Sequence, residues 1–480
     1  MELKLVTSGN LTTQNINYLG ATNDIVLQSG GMLTVQSNSN IYGKNVTLTA
    51  DKLDIQSSSS VNSGGSSGDV LWVQPKTSLT KVDLGSGSDL TAGTLELSIP
   101  EVNALLAGSG TLRIGCGCSG DVHFSGDVNV VSNSEVFEVE SGAAITQGVT
   151  SGAVQAGKLL LKAKGNVDLD KLSNSVASLA GAINGSGAEH FSFKNSGNLI
   201  VDVVGGTSGI SISGFSAYSA GSPDGVITLD ASGTIGQAPS GNLGGAAVLA
   251  TSSSGSVNLT AASNPTGIVA GSAYSGFSYK SANQIALMDV NGHEGISTTM
   301  YGNIVLEGTG FSNNLTTPFS VGAYDRWLVY LPSPNNVSKG SLTSDFRKYG
   351  KTLADYPNPG ETGNGFIYAS MPGVLNVNTT RGTGATSHTY GSTPDVVWGY
   401  AVANASSADS EDYALTRDTH IYADNFQQYQ CRLLHGAICF GSDQCRWIHF
   451  CSGSRAGLYG EPSRGHASFY HLGAQRFASL

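Results

Sequence analysis

A five-residue phrase returns along the first two thirds of the chain: glycine, any residue, Val, Ile or Leu, any residue, then leucine. Each copy places a turn residue before two apolar side chains two positions apart, which is the pattern of a half-buried strand that starts at a glycine. Many short strands of one type, separated by Gly, Ser, Asn and Thr, are typical of a β-solenoid and predict a long surface rather than an enzyme pocket. The copies read GTLEL from Gly93, GKLLL from Gly157, GNVDL from Gly165, GVITL from Gly225, GSVNL from Gly255 and GNIVL from Gly302.

The composition agrees with a chain that turns often. The 480 residues include 64 glycines, 39% are apolar and only 12% are charged, which argues against disorder because disorder needs few apolar residues and a high net charge. The net charge of −11, with Arg113 as the only arginine before Arg326, makes a nucleic-acid partner unexpected. No apolar run reaches the length of a membrane span, and the opening residues carry no signal-peptide pattern.

The phrases are expected to stack in coils of ~20–25 residues, with each strand about 4.8 Å from its equivalents above and below. Their apolar residues would point inward, and the polar residues between them, such as Asp168, Thr228 and Asn258, would face solvent. The copies start 64, 8, 60, 30 and 47 residues apart, which predicts a degenerate repeat with insertions in the turns. The residues assigned to this structural repeat are Gly165, Val167, Leu169, Gly225, Ile227, Leu229, Gly255, Val257, Leu259, Gly302, Ile304 and Leu306.

Sequence texture divides the chain into four segments. Residues 1–317 carry the solenoid repeats, although the stretch 172–180 also fits a short helical face. Residues 318–370 are more aromatic and are expected to cap or link the last apolar layer. Residues 371–430 alternate again and predict the start of a β-sandwich-like module. The aromatic residues assigned to the capping segment are Trp327, Tyr330, Phe366 and Tyr368.

The last segment, residues 431–480, contains no Lys, Asn, Val or Thr, although the preceding chain is rich in the last three. So sharp a loss predicts that the reading frame shifts near Gln430 and that this tail is disordered. The tail also holds four cysteines, which zinc could bind. Their gaps of eight, six and six residues do not match the close pairs of ordinary zinc sites, so no metal is expected.

Two stretches resemble a known family. ITQ at 145–147, AGKLLLKAKGNVDLDKLSNSVASLAG at 156–181 and FSFKNSGNLIVDVVGGTSGI at 191–210 resemble the repeats of filamentous-haemagglutinin-like adhesins. DRWLVYLPSPNNVSKGSLTSDFRKYG at 325–350, with GNGFIYAS at 363–370, resembles the segment that closes such repeats in giant bacterial exoproteins. HTYG at 388–391, with Pro394 and Asp412, looks like the opening of an immunoglobulin-like module.

The resemblance implies a right-handed parallel β-helix, export by the two-partner route through an outer-membrane transporter, and a role at the cell surface. The partner on the host side would be a receptor, a matrix component or a glycan. The chain departs from the family because it lacks the signal peptide and the N-terminal secretion domain, and because its tail differs in composition. An internal fragment of a larger adhesin is therefore the interpretation that the resemblance favours.

Three sequence features are candidate chemistry. Cys116-Gly117-Cys118 is too closely spaced for an ordinary disulfide or zinc pair, so two reduced, packed or exposed thiols are expected. Asn264-Pro265 opens an NPTG stretch that predicts an ordinary turn rather than a secretion signal. Trp327, with Tyr324 and Tyr330, could stack on sugars but is expected to close the core.

The main rival to an adhesin is a carbohydrate-active β-helix enzyme, which needs carboxylates clustered with a basic residue. Asp168, Asp170, Asp202 and Asp230 fall singly along the strands, so the sequence favours a non-enzyme without a cofactor. An enzyme would instead bring two or more of Asp168, Asp202 and Asp230 together. A third alternative is a non-functional product of a truncated, frameshifted gene. The expected function is the stalk or adhesive region of a secreted surface protein.

Overall fold

The chain folds as a parallel β-solenoid. The structure, a computed structural model, describes residues 2–14, 16–17, 23–87 and 89–370, together with the backbone of six short strands between residues 376 and 471. It is nearly all β and winds through about 16 turns. The all-β, parallel β-helix architecture predicted from the glycine-led phrase is thereby confirmed.

One stack of parallel strands, called the first stack here, runs the length of the solenoid. Each strand bonds to the equivalent strand of the turns before and after it, so its backbone groups are paired on both sides. Its strands are Glu2–Val6, Asp24–Gln28, Val46–Thr49, Val70–Gln74, Gly108–Cys116, Ser134–Ser141, Val154–Ala163, Val167–Asn184 in its second half, Leu199–Val201, Ile210–Ser213, Ile235–Gln237, Leu243–Gly244, Val257–Asn264, Phe277–Ser281, Ile304–Glu307, Trp327–Leu331, Phe346–Tyr349 and Gly365–Tyr368.

A second stack begins near residue 81 and forms another face of the solenoid. Its strands are Lys81–Leu84, Thr94–Leu97, Val122–Phe124, Ile145–Gln147, Val167–Asn184 in its first half, Phe191–Asn195, Val226–Ala231, Ala247–Ser252, Ile268–Ala273, Ile285–Leu287, Ile296–Thr298, Phe311–Asn313 and Phe319–Ser320. The stretch 172–180 lies inside the long strand Val167–Asn184, so the helical alternative for it is wrong.

Shorter elements complete the solenoid. A three-stranded stack and a four-stranded stack form the other faces of its first turns. The strands of these two stacks are Leu11–Thr13, Met32–Val35 and Lys52–Ile55, and Ile16–Asn17, Asn40–Tyr42, Ser60–Asn62 and Leu105–Leu106. The remaining elements are the helix Ile99–Asn103, the 3₁₀ turn Pro334–Asn336, and the strands Val128–Asn129, Val203–Val204, Thr207–Ser208, Asp289–Val290, His293–Glu294 and Val337–Ser338.

Turn length varies through insertions. Glu2 pairs with Asp24, 22 residues later, and Lys158 pairs with Ser178, 20 residues later. The spacing of 20–25 residues per coil is therefore seen in these turns. Elsewhere Leu199 pairs with Ile235, 36 residues on, because an insertion leaves the solenoid between them.

The apolar residues of the phrase fill the interior. Five of its six glycines lie between strands, whereas Gly157 lies inside the strand Val154–Ala163, so that copy does not start at a turn. A Cβ on Gly302 would lie 2.2 Å from the backbone of Ser275 in the turn before, and Gly225 has a φ of +69°, so larger residues would strain both corners. The phrase residues Val167, Leu169, Ile227, Leu229, Val257, Leu259, Ile304 and Leu306 are each at most 1% exposed.

A longer repeat underlies the irregular phrase. Residues 136–213, the first repeat, correspond to residues 226–299, the second repeat, at an offset of 86 to 90 positions. FSFK at 191–194 aligns with FSYK at 277–280, and ITQ at 145–147 aligns with IGQ at 235–237. The equivalent strands nevertheless belong to different stacks, because Ile145 lies in the second stack and Ile235 in the first. The repeat is therefore displaced by one face of the solenoid.

A buried amide clamp occurs once in each repeat. Gln147 Nε2 donates to Asn174 Oδ1 at 2.9 Å, and Gln237 Nε2 donates to Asn264 Oδ1 at 2.6 Å. Each asparagine is fully buried, accepts one backbone N–H and donates to the carbonyls of two strands. The clamp therefore satisfies the polar backbone where the chain turns a corner inside the core.

Hairpins cover apolar residues on the outside of both repeats. In the first repeat, Leu160 and Ala180 point outward yet are fully buried beneath Val204. In the second repeat, Leu249, Ala270 and Val290 form the equivalent cluster, and Tyr218 packs against it. Each hairpin hides an outward apolar patch that would otherwise be exposed.

The solenoid continues beyond residue 317. Trp327 pairs with Ile304, and the strand Gly365–Tyr368 pairs with Trp327–Leu331, so both extend the first stack. Phe366 packs edge-on against Trp327 at 5.2 Å between ring centroids and is stacked with Tyr368. The segment 318–370 thus contributes further strands of the same sheet and an aromatic cluster.

By compactness the chain divides into two units. Met1–Pro332 and Ser338–Ala369 form one, which contains the solenoid, and Ser333–Val337 with Ser370–Leu480 form the other. In the second unit, Asn376–Arg381 pairs antiparallel with Trp398–Ala403. The strands Leu434–Cys439, Cys445–Phe450, Gly457–Tyr459 and Tyr470–His471 form an antiparallel sheet. The remainder of the predicted module and tail, including Cys431 and Cys451, lies outside the described residues, and Cys439 and Cys445 are described by their backbone alone.

Candidate functional site

The carboxylates considered for an enzyme are each held by a separate partner. Asp168 Oδ1 lies 2.7 Å from His190 Nε2, and Asp170 pairs with Lys171. Asp230 Oδ1 accepts from the Thr251 hydroxyl at 2.8 Å. The Asp202 carboxylate accepts a hydrogen bond from the backbone N–H of Val203, the first residue of the first hairpin. These contacts tie each carboxylate to its own stretch of surface and give each a local structural role.

A carboxylate pocket does occur, but elsewhere. Four acidic side chains from separate segments line a cavity of about 320 Å³ between the strand Lys52–Ile55, the loop after Leu84 and the short helix. They are Asp54, Asp89, Glu96 and Glu101, called the carboxylate pocket here. Sequence reasoning missed them because they come from two strands, a loop and the short helix, and only the fold brings Asp54 beside the other three. The only local signal was the acidic content of the segment 89–101.

Two of these carboxylates hold loops in place. Glu96 accepts hydrogen bonds from the Ser86 hydroxyl and from the backbone and hydroxyl of Thr91, each at 2.8–2.9 Å. Glu101 accepts from the Ile55 backbone at 3.0 Å and from the Ser98 backbone at the start of the helix. Burial opposes ionisation of Glu96, but the hydrogen bonds from Thr91 and Ser86 hold its pKa below the usual value.

Asp89 is the opposite case. Its Oδ1 atom is buried and has no hydrogen-bond partner among the described residues. Burial, followed by the negative charges of Glu101, Glu96 and Asp54, raises its pKa to about 6. The Lys52 ammonium, which donates to the Asp89 carbonyl, opposes the shift only in part. The pocket therefore holds a carboxyl that takes up a proton near neutral pH beside one that stays ionised.

A polar ladder follows the outer face of the second stack. Asp83 pairs with His123 of the next turn, and His123 Nδ1 lies 2.8 Å from the Thr146 hydroxyl of the turn after that. Thr146 in turn pairs with Asp168, which contacts His190. Part of this ladder lines a second cavity of about 290 Å³. No group of three His, Cys, Asp or Glu side chains within the described residues is arranged to hold a metal ion.

Cys116 and Cys118 form a disulfide, so the expectation of two free thiols is wrong. The chain folds back tightly at this corner, where the backbone N–H of Ser119 donates to the Cys116 carbonyl at 2.9 Å. The two Cα atoms are consequently 5.1 Å apart, within the range that a disulfide spans. The expectation of free thiols rested on the short spacing of the two cysteines, and that spacing does not reveal how tightly the backbone folds back at this corner.

The aromatic residues of the capping segment separate into buried and exposed members. Trp327 and Tyr330 are at most 5% exposed and Phe366 and Tyr368 are fully buried, whereas Tyr324 is 94% exposed. Burial raises the pKa of Tyr330 to about 12, and its hydroxyl donates to the Tyr356 carbonyl. The three residues considered as a sugar-stacking patch therefore do not form one. Trp327 and Tyr330 are buried, and only Tyr324 of the three is available to a partner.

The turn Asn264-Pro265 lies within the clamp of the second repeat. Asn264 is buried, and the Thr266 hydroxyl donates to the carbonyls of Leu243 and Gly245. This arrangement agrees with an ordinary structural corner. Among the described residues, no helix is both long and apolar enough to cross a membrane.

Comparison with protein families, with curated proteins and with solved structures finds no match to this chain. The class of protein is therefore defined by its own geometry. It is a parallel β-solenoid repeat protein whose outer surface, over the described residues, carries hairpins, a polar ladder and an acidic pocket.

Proposed function

We propose that the chain is the stalk and adhesive region of a secreted surface protein. The observation that carries this proposal is the unbroken first stack, in which strands from Glu2–Val6 to Gly365–Tyr368 pair in parallel. Continuous strand pairing around an apolar interior gives a stiff element that holds its outer faces at fixed spacing. The outer faces and corners would then supply the contacts.

The side chains that an enzyme would need are largely occupied with structure. Asp168, Asp202 and Asp230 have separate partners, and Glu96 and Glu101 fasten loops. This arrangement supports a protein that binds through its surface and needs no cofactor. The resemblance to filamentous-haemagglutinin-like adhesins, expected from sequence, agrees with that role.

The disulfide supports export. Disulfides persist in oxidising compartments and are rare in the cytosol of ordinary cells. The Cys116–Cys118 bond therefore favours a protein that matures outside the cytoplasm. Passage through an outer-membrane transporter of the two-partner type, with a surface or matrix glycan or receptor as the target, remains part of this proposal.

The test couples the full chain to beads and measures retention on immobilised polysaccharides and matrix proteins. Adhesion predicts retention with no release of reducing ends from the polysaccharides. Mass spectrometry after thiol alkylation of the protein purified from its native cells should find Cys116 and Cys118 unmodified. Retention on none of the surfaces, or two alkylated cysteines, would contradict the proposal.

A second candidate is a polysaccharide hydrolase at the carboxylate pocket. The specific observation in its favour is that Asp89 and Glu96 have pKa values shifted in opposite directions within one cavity, as a general acid and an ionised partner require. If the chain releases reducing ends and Asp89→Asn abolishes the release while Asp54→Asn at the same cavity only weakens it, the hydrolase replaces the adhesin.

A further inference from the structure

One corner of the solenoid, at the end of the second repeat and in the two turns after it, carries exposed aromatic residues on successive turns. This corner joins the second stack to the first and recurs at 274–276, 299–303 and 321–326. Tyr274, Tyr301 and Tyr324 are 41%, 82% and 94% exposed, and Met300 beside them is 45% exposed. These four residues are called the tyrosine ridge here.

Backbone hydrogen bonds fix the stacking of the ridge. The backbone N–H of Met300 donates to the Tyr274 carbonyl at 2.8 Å, which places one corner directly on the other. The Tyr274 hydroxyl lies 3.3 Å from Met300 Sδ, which orients that ring. On the next turn, Arg326 N donates to Asn303 Oδ1 at 3.1 Å and brings the third corner into line. The ridge is therefore set by the solenoid and does not depend on a flexible loop.

The same corner carries small polar residues in the two turns before it. Ser232 and Ser253 are in register with Tyr274, and the backbone N–H of Ser254 donates to the Ser232 carbonyl. In the first repeat, the residue that corresponds to Tyr274 is Asn184. A corner of this geometry therefore forms without aromatic side chains, so folding alone does not account for an exposed tyrosine on each of three successive turns.

The backbone conformation of Tyr301 also indicates that the tyrosines are not required for folding. Its φ of +52° lies in the left-handed region, which favours Gly and Asn and strains a tyrosine. Its side chain is mostly exposed and so recovers little of that strain through packing. Strain held at an exposed aromatic residue indicates a selected contact surface.

We infer that the tyrosine ridge binds a neutral, extended polysaccharide by stacking tyrosine rings on the apolar faces of successive sugars. The rise per turn of about 4.8 Å is close to the length of one sugar residue in an extended chain. The exposed residues of these corners are Tyr274, Ser275, Thr299, Met300, Tyr301, Ala323 and Tyr324, and none is charged.

Two neighbouring basic side chains are already engaged, and the Asp325 carboxyl group beside Tyr324 is half-buried with its Oδ2 atom enclosed. The Arg326 guanidinium donates to the carbonyls of Glu361 and Pro359, and Lys280 pairs with Glu307 at 3.2 Å. A surface of rings and hydroxyls in which no exposed residue is charged complements a neutral sugar, because C–H faces can meet the rings and hydroxyl groups can meet Ser275 and Thr299. This inference deepens the proposed adhesive function and rests on it for its biological role.

Affinity electrophoresis of the full chain tests the inference. The probe is hydroxyethyl cellulose, a neutral β-linked glucan derivative, and alginate is the acidic comparison. We expect retardation by the glucan but not by alginate. A triple variant, Tyr274→Asn, Tyr301→Asn and Tyr324→Ser, should weaken glucan binding by about tenfold or more, since each lost ring removes a stacking contact.

Two control variants separate binding from folding. The triple Tyr→Phe variant keeps the aromatic faces and should retain binding within about threefold. Val149→Ser removes an exposed apolar side chain at another corner and should bind as the parent does. Because all three tyrosines are exposed and Asn suits the backbone at Tyr301, the triple Asn/Ser variant should melt no lower than the parent.

The outcomes that overturn the inference are distinct. No retardation of the parent, or equal retardation of the triple Asn/Ser variant, means that the ridge does not bind neutral glycans. Concentration-dependent dimers in sedimentation that vanish in this variant would identify a second copy of the chain as the occupant instead. Bead adhesion that is unchanged in the variant refutes the ridge and leaves the adhesive proposal standing. If the ridge binds glucan but the beads do not adhere, the inference about the ridge stands and the adhesive proposal is refuted.

Discussion

The two repeats have the same interior and different exteriors. Inside, the Gln147–Asn174 clamp and the Gln237–Asn264 clamp are equivalent bond for bond. Outside, Glu138 of the first repeat forms an ion pair with Arg113 of the preceding turn, whereas the position in the second repeat that corresponds to Glu138 is the neutral Thr228. The comparison teaches that stacking geometry dictates the interior residues, while the outer face is free to acquire different chemistry on the same scaffold.

The clamps should give the largest effects. Asn174→Ala and Asn264→Ala each leave several buried backbone groups unsatisfied, so we expect each to lower the free energy of unfolding by about 4 kcal/mol. Urea denaturation of the full chain measures the change. Asn258→Ala, on an exposed strand position, is the control and should change stability by about 0.5 kcal/mol or less. Unequal losses at the two clamps would break the equivalence of the interiors.

The covered outer clusters come next. Leu160→Ala should cost about 3 kcal/mol because its side chain is fully buried under the first hairpin. Leu249→Ala, at the corresponding position and 9% exposed, should cost about 2 kcal/mol. Ile200→Ala, on an exposed position, serves as the control. If Leu160→Ala behaved like Ile200→Ala in thermal unfolding, the hairpin would not be a cover in solution.

The exterior ion pairs should show the difference between the repeats. Glu138 is buried and accepts from Arg113 at 2.7 Å and from Lys162 at 2.9 Å, so Glu138→Gln should cost about 2 kcal/mol. Thr228→Ala should cost about 0.5 kcal/mol. Comparable losses measured by urea denaturation would mean that the charge at Glu138 contributes nothing of its own.

The smallest expected effect concerns the pH dependence of stability. The pKa of Asp89 is about 6 in the folded chain against 3.8 unfolded, so the folded state binds its proton more tightly. The stability that this gives is present below pH 4 and is lost as the pH rises through 6. Allowing for solvent screening, Asp89→Asn should stabilise the chain by about 1 kcal/mol at pH 8 and by nothing at pH 4. Thermal unfolding at the two pH values checks this, and an equal effect at both would refute the shifted pKa.

Some features could be read from the sequence because they depend on local pattern. The alternation around Val167 and Leu169 predicted buried strand residues, and both are fully buried. The composition of 1–317 predicted parallel coils. These inferences worked because a two-residue period and a corner glycine are set by strand geometry itself.

Other features depend on which turns meet, and the sequence alone did not reveal them. Asp89 and Glu101 come together only because a loop and a short helix flank the same turn. Leu160 lies between the two inward leucines of its phrase, at a position that alternation assigns to solvent, and only the structure shows that the hairpin with Val204 covers it. The 86- to 90-residue offset was visible in FSFK and FSYK, but the shorter phrase concealed it.

The displacement of the repeat by one face has a consequence for presentation. The offset between Ile145 and Ile235 equals several whole turns plus one face, so equivalent outer surfaces do not lie in line. The hairpin Val203–Ser208 accordingly leaves the first stack, and the hairpin Asp289–Glu294 leaves the second. The second repeat is therefore rotated about the solenoid axis relative to the first. Two equivalent outer surfaces therefore face in two different directions around the solenoid axis.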